Sequence, residues 1–161
     1  MKLPFPGNYC IDTCALIDLM KKLYPPDIFP SLWKDLENLV SYGRLIAPRE
    51  VFKELEKYSD KKDELLKWVK KNRRIFKELT EEQLQLVRDI LQKFPNLIDP
   101  NKTVADADPF IIALAISEGC SVITSEQLGS PEKPKIPNVC NDYKIKCLSL
   151  PDFFREQKWK Y

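Results

Sequence analysis

The sequence contains no histidine. That absence removes Ser-His-Asp and Cys-His hydrolases, histidine-liganded zinc centres and histidine general bases. Glycine is scarce: Gly7, Gly43, Gly119 and Gly129 form neither a GxGxxG turn nor a Walker loop. A nucleotide-binding doubly wound protein is therefore disfavoured, because such loops bring backbone amides against phosphates. No apolar run approaches the length that spans a bilayer, and the opening MKLPFPGNYC lacks the apolar core of a secretory signal. These features lead to the expectation of a cytoplasmic protein without a membrane partner. No sign of charge dominates, since 26 Lys and Arg face 24 Asp and Glu. Any nucleic-acid surface must come from local segregation of charge. The five cysteines (Cys10, Cys14, Cys120, Cys140 and Cys147) are odd in number and include no CxxC pair. Four of them, all but Cys140, stand in apolar stretches, the pattern of buried thiols in a reducing compartment.

What is left for chemistry is carboxylates, hydroxyls, lysines and a metal bound by oxygen, which favours Mg2+ or Mn2+. A length of 161 residues suits one domain, spanning 1–161, with a sizeable core.

Periodicity lays out the elements. NYCID is a short β-favouring run ending in an acid, and CALIDLMKKLY follows with Leu16, Ile17, Met20 and Leu23 at helical spacing. Pro25-Pro26 stops that helix. A second helix is predicted from about Ser31 to Tyr42 on the stripe Leu32, Trp33, Leu36, Leu39 and Val40, with Gly43 as terminator. RLIAP reads as a strand and REVFKELEKY as a helix. Asp60 to Lys71 reads as another helix, with the KKNRR run at its solvated C-terminal end. Thr80 with Gln83 forms a capping-box pattern ahead of a helix carrying Leu84, Leu86, Val87, Ile90 and Leu91. DPFIIALAISEG is a nearly all-apolar, buried helix, SVIT a third strand, QLGSPEKPKIPNVC mostly loop, YKIKCLSL a fourth strand and PDFFREQKWKY a final helix. Strands alternating with helices predict an α/β three-layer sandwich, a central parallel sheet of four or five strands flanked by helices.

In such sheets ligands sit at the carboxyl ends of the strands, and acids stand there. Asp12 ends the first strand, Asp106 and Asp108 stand at the entrance to the buried helix, and Glu126 follows SVIT closely. Glu50 and Glu54 lie four residues apart on the helix after the second strand, and so on one face. Crowded carboxylates repel unless a cation neutralises them, and a divalent ion does so while lowering the pKa of water. Each acid has a plainer reading when taken singly. Asp12 and Asp108 are good helix N-caps, Glu50 and Glu54 suit surface ion pairs, and Glu126 suits a loop.

The order CIDTCALIDL, APREVFKELEK, DADPFIIALA, VITSEQL resembles the PIN domain. That family has a strand ending in Asp then Ser or Thr, a helix with an internal Glu-Leu, a D-x-x-I-x-A-x-A helix and a strand ending in Thr-x-Asp. The pieces run from Cys10 to Leu128, and YPPDIFP, APREV and ADADPF are similar to segments of a PIN-like subgroup. The resemblance implies metal ligation and catalysis by Asp12, Glu54, Asp108 and Glu126. It gives supporting roles to Thr13, Thr124 and Ser125, with Asp106 and Glu50 as substitutes or neighbours of the ligands. Arg44, Arg49, Lys133 and Lys135 are candidates to hold an RNA backbone. Two positions depart from the family pattern: Cys14 stands where Asn or Ser is frequent, and Glu126 where Asp is usual.

The resemblance further implies a hydrolytic endoribonuclease using Mg2+ or Mn2+, the toxin of a prokaryotic toxin–antitoxin pair. Its partners would be an antitoxin protein and a second copy of the chain, with Phe154, Trp159 or Tyr161 as possible contributors to such a surface. Phe153 and Phe154 also suit a simple anchor for the last helix. The alternative is a catalytically degenerate PIN-like module that binds nucleic acid or protein. A structure-specific DNA nuclease would need insertions for which this chain has little room.

Overall fold

The computed structural model describes residues 7–59, 63–99, 101 and 106–161. Its centre is an all-parallel five-stranded sheet in the order β3-β2-β1-β4-β5, made by β1 (Tyr9–Ile11), β2 (Leu45–Pro48), β3 (Phe76–Lys77), β4 (Ser121–Ile123) and β5 (Cys147–Leu148). The chain builds outward from β1 through β2 to β3, then returns to place β4 on the other side of β1. Tyr9 pairs with Leu45 on one side and with Ser121 on the other. The order of strands thus reverses between β1 and β4, the point at which open parallel sheets form a crevice at their carboxyl ends. Every residue of β1 is buried, as expected of a strand covered on both faces.

The helices that flank the sheet are α1 (Thr13–Ile17), α2 (Pro30–Ser41), α3 (Arg49–Tyr58), α4 (Glu64–Lys71), α5 (Glu81–Lys93), α6 (Asp108–Glu118), α7 (Ile136–Asp142) and α8 (Leu150–Gln157). Helix α6 packs on β1 and β2, and α5 packs on α6. Its buried run Pro109 and Ile111–Ala115 is apolar on all sides because α6 lies between the sheet and α5. Gly119 ends it at φ +67°, a left-handed conformation that favours glycine. The predicted stripe of α2 is buried in full. The predicted capping box is formed: the Thr80 hydroxyl accepts from the Gln83 amide at 3.2 Å, and the Gln83 side chain accepts from the Thr80 amide at 2.9 Å. The last helix is anchored by Phe153 and Phe154, both buried, with Trp159 edge-on to Phe153 at 5.3 Å.

Several local expectations are corrected. Leu23 is exposed, and Leu19 is buried in its place. Residues Asp18–Leu23 form a π-helical continuation of α1, whose wider turn moves the apolar phase off the predicted stripe. The segment expected to be mostly loop contains α7, and its Ile136, Val139 and Cys140 are buried. The edge strand β3 has two residues, too few to show a period. The helix expected from Asp60 begins at Glu64, with the Asp63 carboxylate accepting the Leu65 amide; residues 60–62 lie outside the described ones. All five cysteines are free thiols, with Cys14 and Cys147 only partly buried. No helix among the described residues is long and apolar enough to cross a membrane.

The Thr80→Ala variant is expected to lose about 1 kcal/mol of stability, measured by denaturant unfolding, while Glu81→Ala, which leaves the capping box intact, stays near the parent value.

Candidate functional site

The first acid is placed by the central strand. The backbone of Asp12 leaves β1 extended, and its amide donates to the Ile123 carbonyl at 3.0 Å. Its carboxylate is then fixed from three directions. Oδ1 accepts the Ala15 amide at 2.7 Å, capping α1. Oδ2 accepts the Thr124 hydroxyl and the Cys14 thiol at 3.0 Å. Thr124 continues into the second acid, because its hydroxyl accepts the Glu126 amide at 3.0 Å. The Glu126 carboxylate in turn accepts the amide of Ile136, the first residue of α7, at 3.0 Å. One hydroxyl at the end of β4 therefore sets the spacing between Asp12 and Glu126.

Glu54 comes from the middle of α3, where its Oε1 accepts the Thr13 hydroxyl at 3.0 Å. Asp108 opens α6. It is not that helix's cap: the Asp108 amide is itself bonded by Asp106 Oδ1 at 3.2 Å, which leaves the Asp108 carboxylate to face the acids around it. Asp12, Thr13, Cys14, Glu54, Asp106, Asp108 and Glu126 all line one open cleft of about 840 Å³ at the carboxyl rim of the sheet. Within it, one donor atom each from Asp12, Cys14 and Glu126 lies within 4.8 Å of the other two.

The electrostatics follow from that crowding. Burial is the main force raising Asp108, to about 9, followed by the negative charges of Glu126, Asp106, Asp12 and Glu54. Asp12 is 2% exposed, and burial raises it to about 6, against the opposing pull of its bonds from Thr124, Cys14 and the Ala15 amide. Burial and the Asp12 charge push the Cys14 thiol well above its ordinary value. Such an arrangement is relieved by a divalent cation, which neutralises several carboxylates together. The donor set fits one: anionic oxygens converge with their positions fixed by hydrogen bonds to Thr13, Thr124 and the Ala15 and Ile136 amides.

Of the expected cations, Lys133 and Lys135 line the cleft. Arg44 does not: it stands before β2, at the opposite end of the sheet, where it is buried and donates to the Gly7 carbonyl. Arg49 opens α3 but faces a separate depression with Phe52, Lys53 and Arg73, and it pairs with Glu78 at 3.6 Å. Glu50 lies outside the cleft as well; burial raises its carboxyl, and one of its buried oxygens lacks a hydrogen-bond partner among the described residues. One helical turn separates Glu50 from Glu54, yet only Glu54 is aimed at the rim. Ser125 reaches the site through its backbone, which bonds to the Cys14 thiol. Cleft residues that sequence reasoning missed are Asn96, Asp99, Asn101 and Glu132. They sit in connections outside the strand-to-helix junctions, so the strand-end rule carried no signal for them.

A carboxyl raised on folding binds its proton more tightly in the folded state, so its stabilising effect is complete below the unfolded value and is lost as pH rises toward the folded one. For Asp108 that window runs from about 4 to about 9. The chelator-treated protein is therefore expected to lose thermal stability across this range. Asp108→Asn should flatten the loss and raise the melting temperature by a few degrees at pH 8, with little change at pH 4. Scanning calorimetry at a series of pH values checks it; an unchanged slope in the variant would assign the loss to other groups.

Residues 9–161 match the family described as "Domain of unknown function (DUF4411)". No functionally curated protein matches the chain. Among solved structures, the fold is similar to a chain in the crystal structure of VapBC2 from Rickettsia felis bound to a DNA fragment from their promoter. The identity is 15% and the TM-score 0.53, over 88% of this chain and 97% of that one. The sheet and its flanking helices match the PIN-like α/β sandwich. The chain belongs to the DUF4411 family, on a PIN-like fold.

Proposed function

We propose that this protein is a metal-dependent endoribonuclease that hydrolyses RNA phosphodiesters at the carboxylate cleft, with Asp12, Glu54, Asp108 and Glu126 holding Mg2+ or Mn2+. The observation that carries the reading is the convergence of acids from four separate segments in one cleft at the strand-order reversal. A divalent ion bound there supplies neutralisation of the acids, Lewis acidity toward a phosphoryl oxygen and a lower pKa for water.

The chain's own residues do the positioning. The Ala15 amide and Thr124 hydroxyl hold the two Asp12 oxygens in fixed directions, and Thr13 does the same for Glu54. Thr124 and the Ile136 amide fix Glu126 at its backbone and its tip. A site organised before substrate arrives loses less free energy to reorganisation during reaction. Lys133 and Lys135, on the cleft wall, place positive charge where an RNA backbone would pass the acids.

The same reading extends to biology as a toxin–antitoxin pair in the cytoplasm. The likeness to a chain of VapBC2, a structure that also holds a fragment of promoter DNA, supports a small inhibitory protein as partner. A second copy of the chain is the other partner proposed. In that surface Tyr161 is an exposed aromatic of the terminal segment, 53% accessible as a residue, with its hydroxyl bonded to Asp35.

Asp12→Asn is the informative variant because asparagine caps a helix as well as aspartate does, so α1 is retained while the charge is lost. Mn2+-dependent cleavage of single-stranded RNA is expected to fall about 100-fold or more, the equivalent of about 2.7 kcal/mol in the barrier, with unchanged circular dichroism. Cleavage at the parent rate would refute the site. A folded parent that neither binds Mn2+ by calorimetry nor cuts RNA would instead make the protein a degenerate binding module. The double variant Lys133→Ala, Lys135→Ala should weaken RNA binding and lower the log–log salt slope by about 1.4, if each lysine neutralises one phosphate of a single strand. Fluorescence anisotropy across a salt series measures that slope.

A further inference from the structure

Cys14 differs from the chain's core cysteines in what surrounds it. Cys10 is fully buried, and its thiol donates to the Ile111 carbonyl at 3.6 Å. Cys14 is partly exposed, on the wall of the carboxylate cleft. Its Sγ is 3.0 Å from Asp12 Oδ2 and 3.9 Å from Thr124 Oγ1, and it falls within the 4.8 Å grouping with Asp12 and Glu126 donor atoms. Zinc–sulfur and zinc–oxygen bonds of about 2.3 and 2.1 Å, at angles between square and tetrahedral, put two donors roughly 3.1–3.6 Å apart. The Cys14–Asp12 spacing is close to that bite.

We infer that Cys14, giving up to solvent the proton it donates to Asp12, is a thiolate ligand of the centre together with Asp12 and Glu126, so that the site takes a borderline divalent ion that accepts sulfur, of the Co2+ and Zn2+ class, in preference to Mg2+. This rests on the carboxylate-centre reading above and replaces its Mg2+ or Mn2+ with an ion that accepts sulfur. Sulfur is a poor ligand for Mg2+ and a good one for Zn2+ and Co2+. An oxygen-only centre would hold Mn2+ and Mg2+ with a narrower spread of affinities. The expectation of an oxygen-only site came from the absence of histidine and of a CxxC pair, a test that passes over a single thiol among carboxylates.

The test is titration of the chelator-treated full chain with Co2+, followed in the near ultraviolet for the sulfur-to-cobalt charge-transfer band. The band is expected to appear in the parent, to persist in Cys140→Ser with Cys147→Ser, and to vanish in Cys14→Ser. Even neighbours of metal ligands are worth about 10–100-fold in affinity, so Cys14→Ser should also weaken Co2+ binding more than tenfold while Mg2+ binding changes little. On the unaltered parent, Co2+ should slow alkylation of Cys14, read by mass spectrometry, which keeps the test open if the variant misfolds. Co2+ binding that Asp12→Asn abolishes, with no charge-transfer band and no protection of Cys14, would overturn the inference and leave the carboxylate centre standing. Absence of any Co2+ or Mn2+ binding by the folded parent would remove both.

Discussion

Asp12 sits at the end of the central strand with one carboxylate oxygen on the Ala15 amide and the other on the Thr124 hydroxyl. The first bond starts α1 and so directs the chain away from the sheet. The second ties the end of β1 to the end of β4 across the reversal of strand order, at a position where both strands are buried. A buried carboxylate costs several kcal/mol unless its charge is met by donors, and here an amide, a hydroxyl and a thiol supply them. The same bonds leave the group raised only to about 6, whereas Asp108, whose neighbours are acids, rises to about 9. Capping and chemistry are therefore two uses of one side chain.

The fold places the remaining acids relative to that point. Glu54 is carried in by α3, which packs on α1, and is held by Thr13, the residue next to Asp12. Glu126 hangs from Thr124 by its backbone and from α7 by its tip. Asp108 arrives on α6, whose apolar body is locked between sheet and α5. Glu54 and Asp108 are thus borne by helices packed on the rest of the fold. Charge removal at Glu54 or Asp108 and retention of fold are compatible for that reason.

Repulsion among these groups gives the cleft its chemical direction. The charges that act most strongly on Asp108 are carboxylates, and the cleft's two lysines lie on the loop before α7. A small divalent ion relieves that repulsion at short range, and lysine side chains on a neighbouring wall meet a longer polyanion. The thiol of Cys14, bonded to the most buried acid of the site, gives the centre a donor that oxygen-only sites lack.

Sequence by itself determined the elements whose patterns are long or punctuated. The buried stripe of α2, the Thr80–Gln83 box, the all-apolar α6 ended by Gly119 and the acids closing β1 and opening α6 were all legible, because periodicity, caps and strand-end position are local properties of the chain. The choice between Glu50 and Glu54 was not, since both lie on one helical face and only the packing of α3 on α1 aims one of them at Thr13. Arg44 and Arg49 read as cleft cations until the sheet put one at the far end of β2 and the other over a different depression. The two-residue β3 was hidden because its partner β2 is distant in sequence, and the π-helical turn after α1 and the Pro-flanked α7 because six or seven residues are too few for a period to stand out. The meeting of Asp12, Cys14 and Glu126 is likewise tertiary: residues more than a hundred positions apart come within 4.8 Å only because β4 returns to pair with β1, a contact that no local pattern encodes.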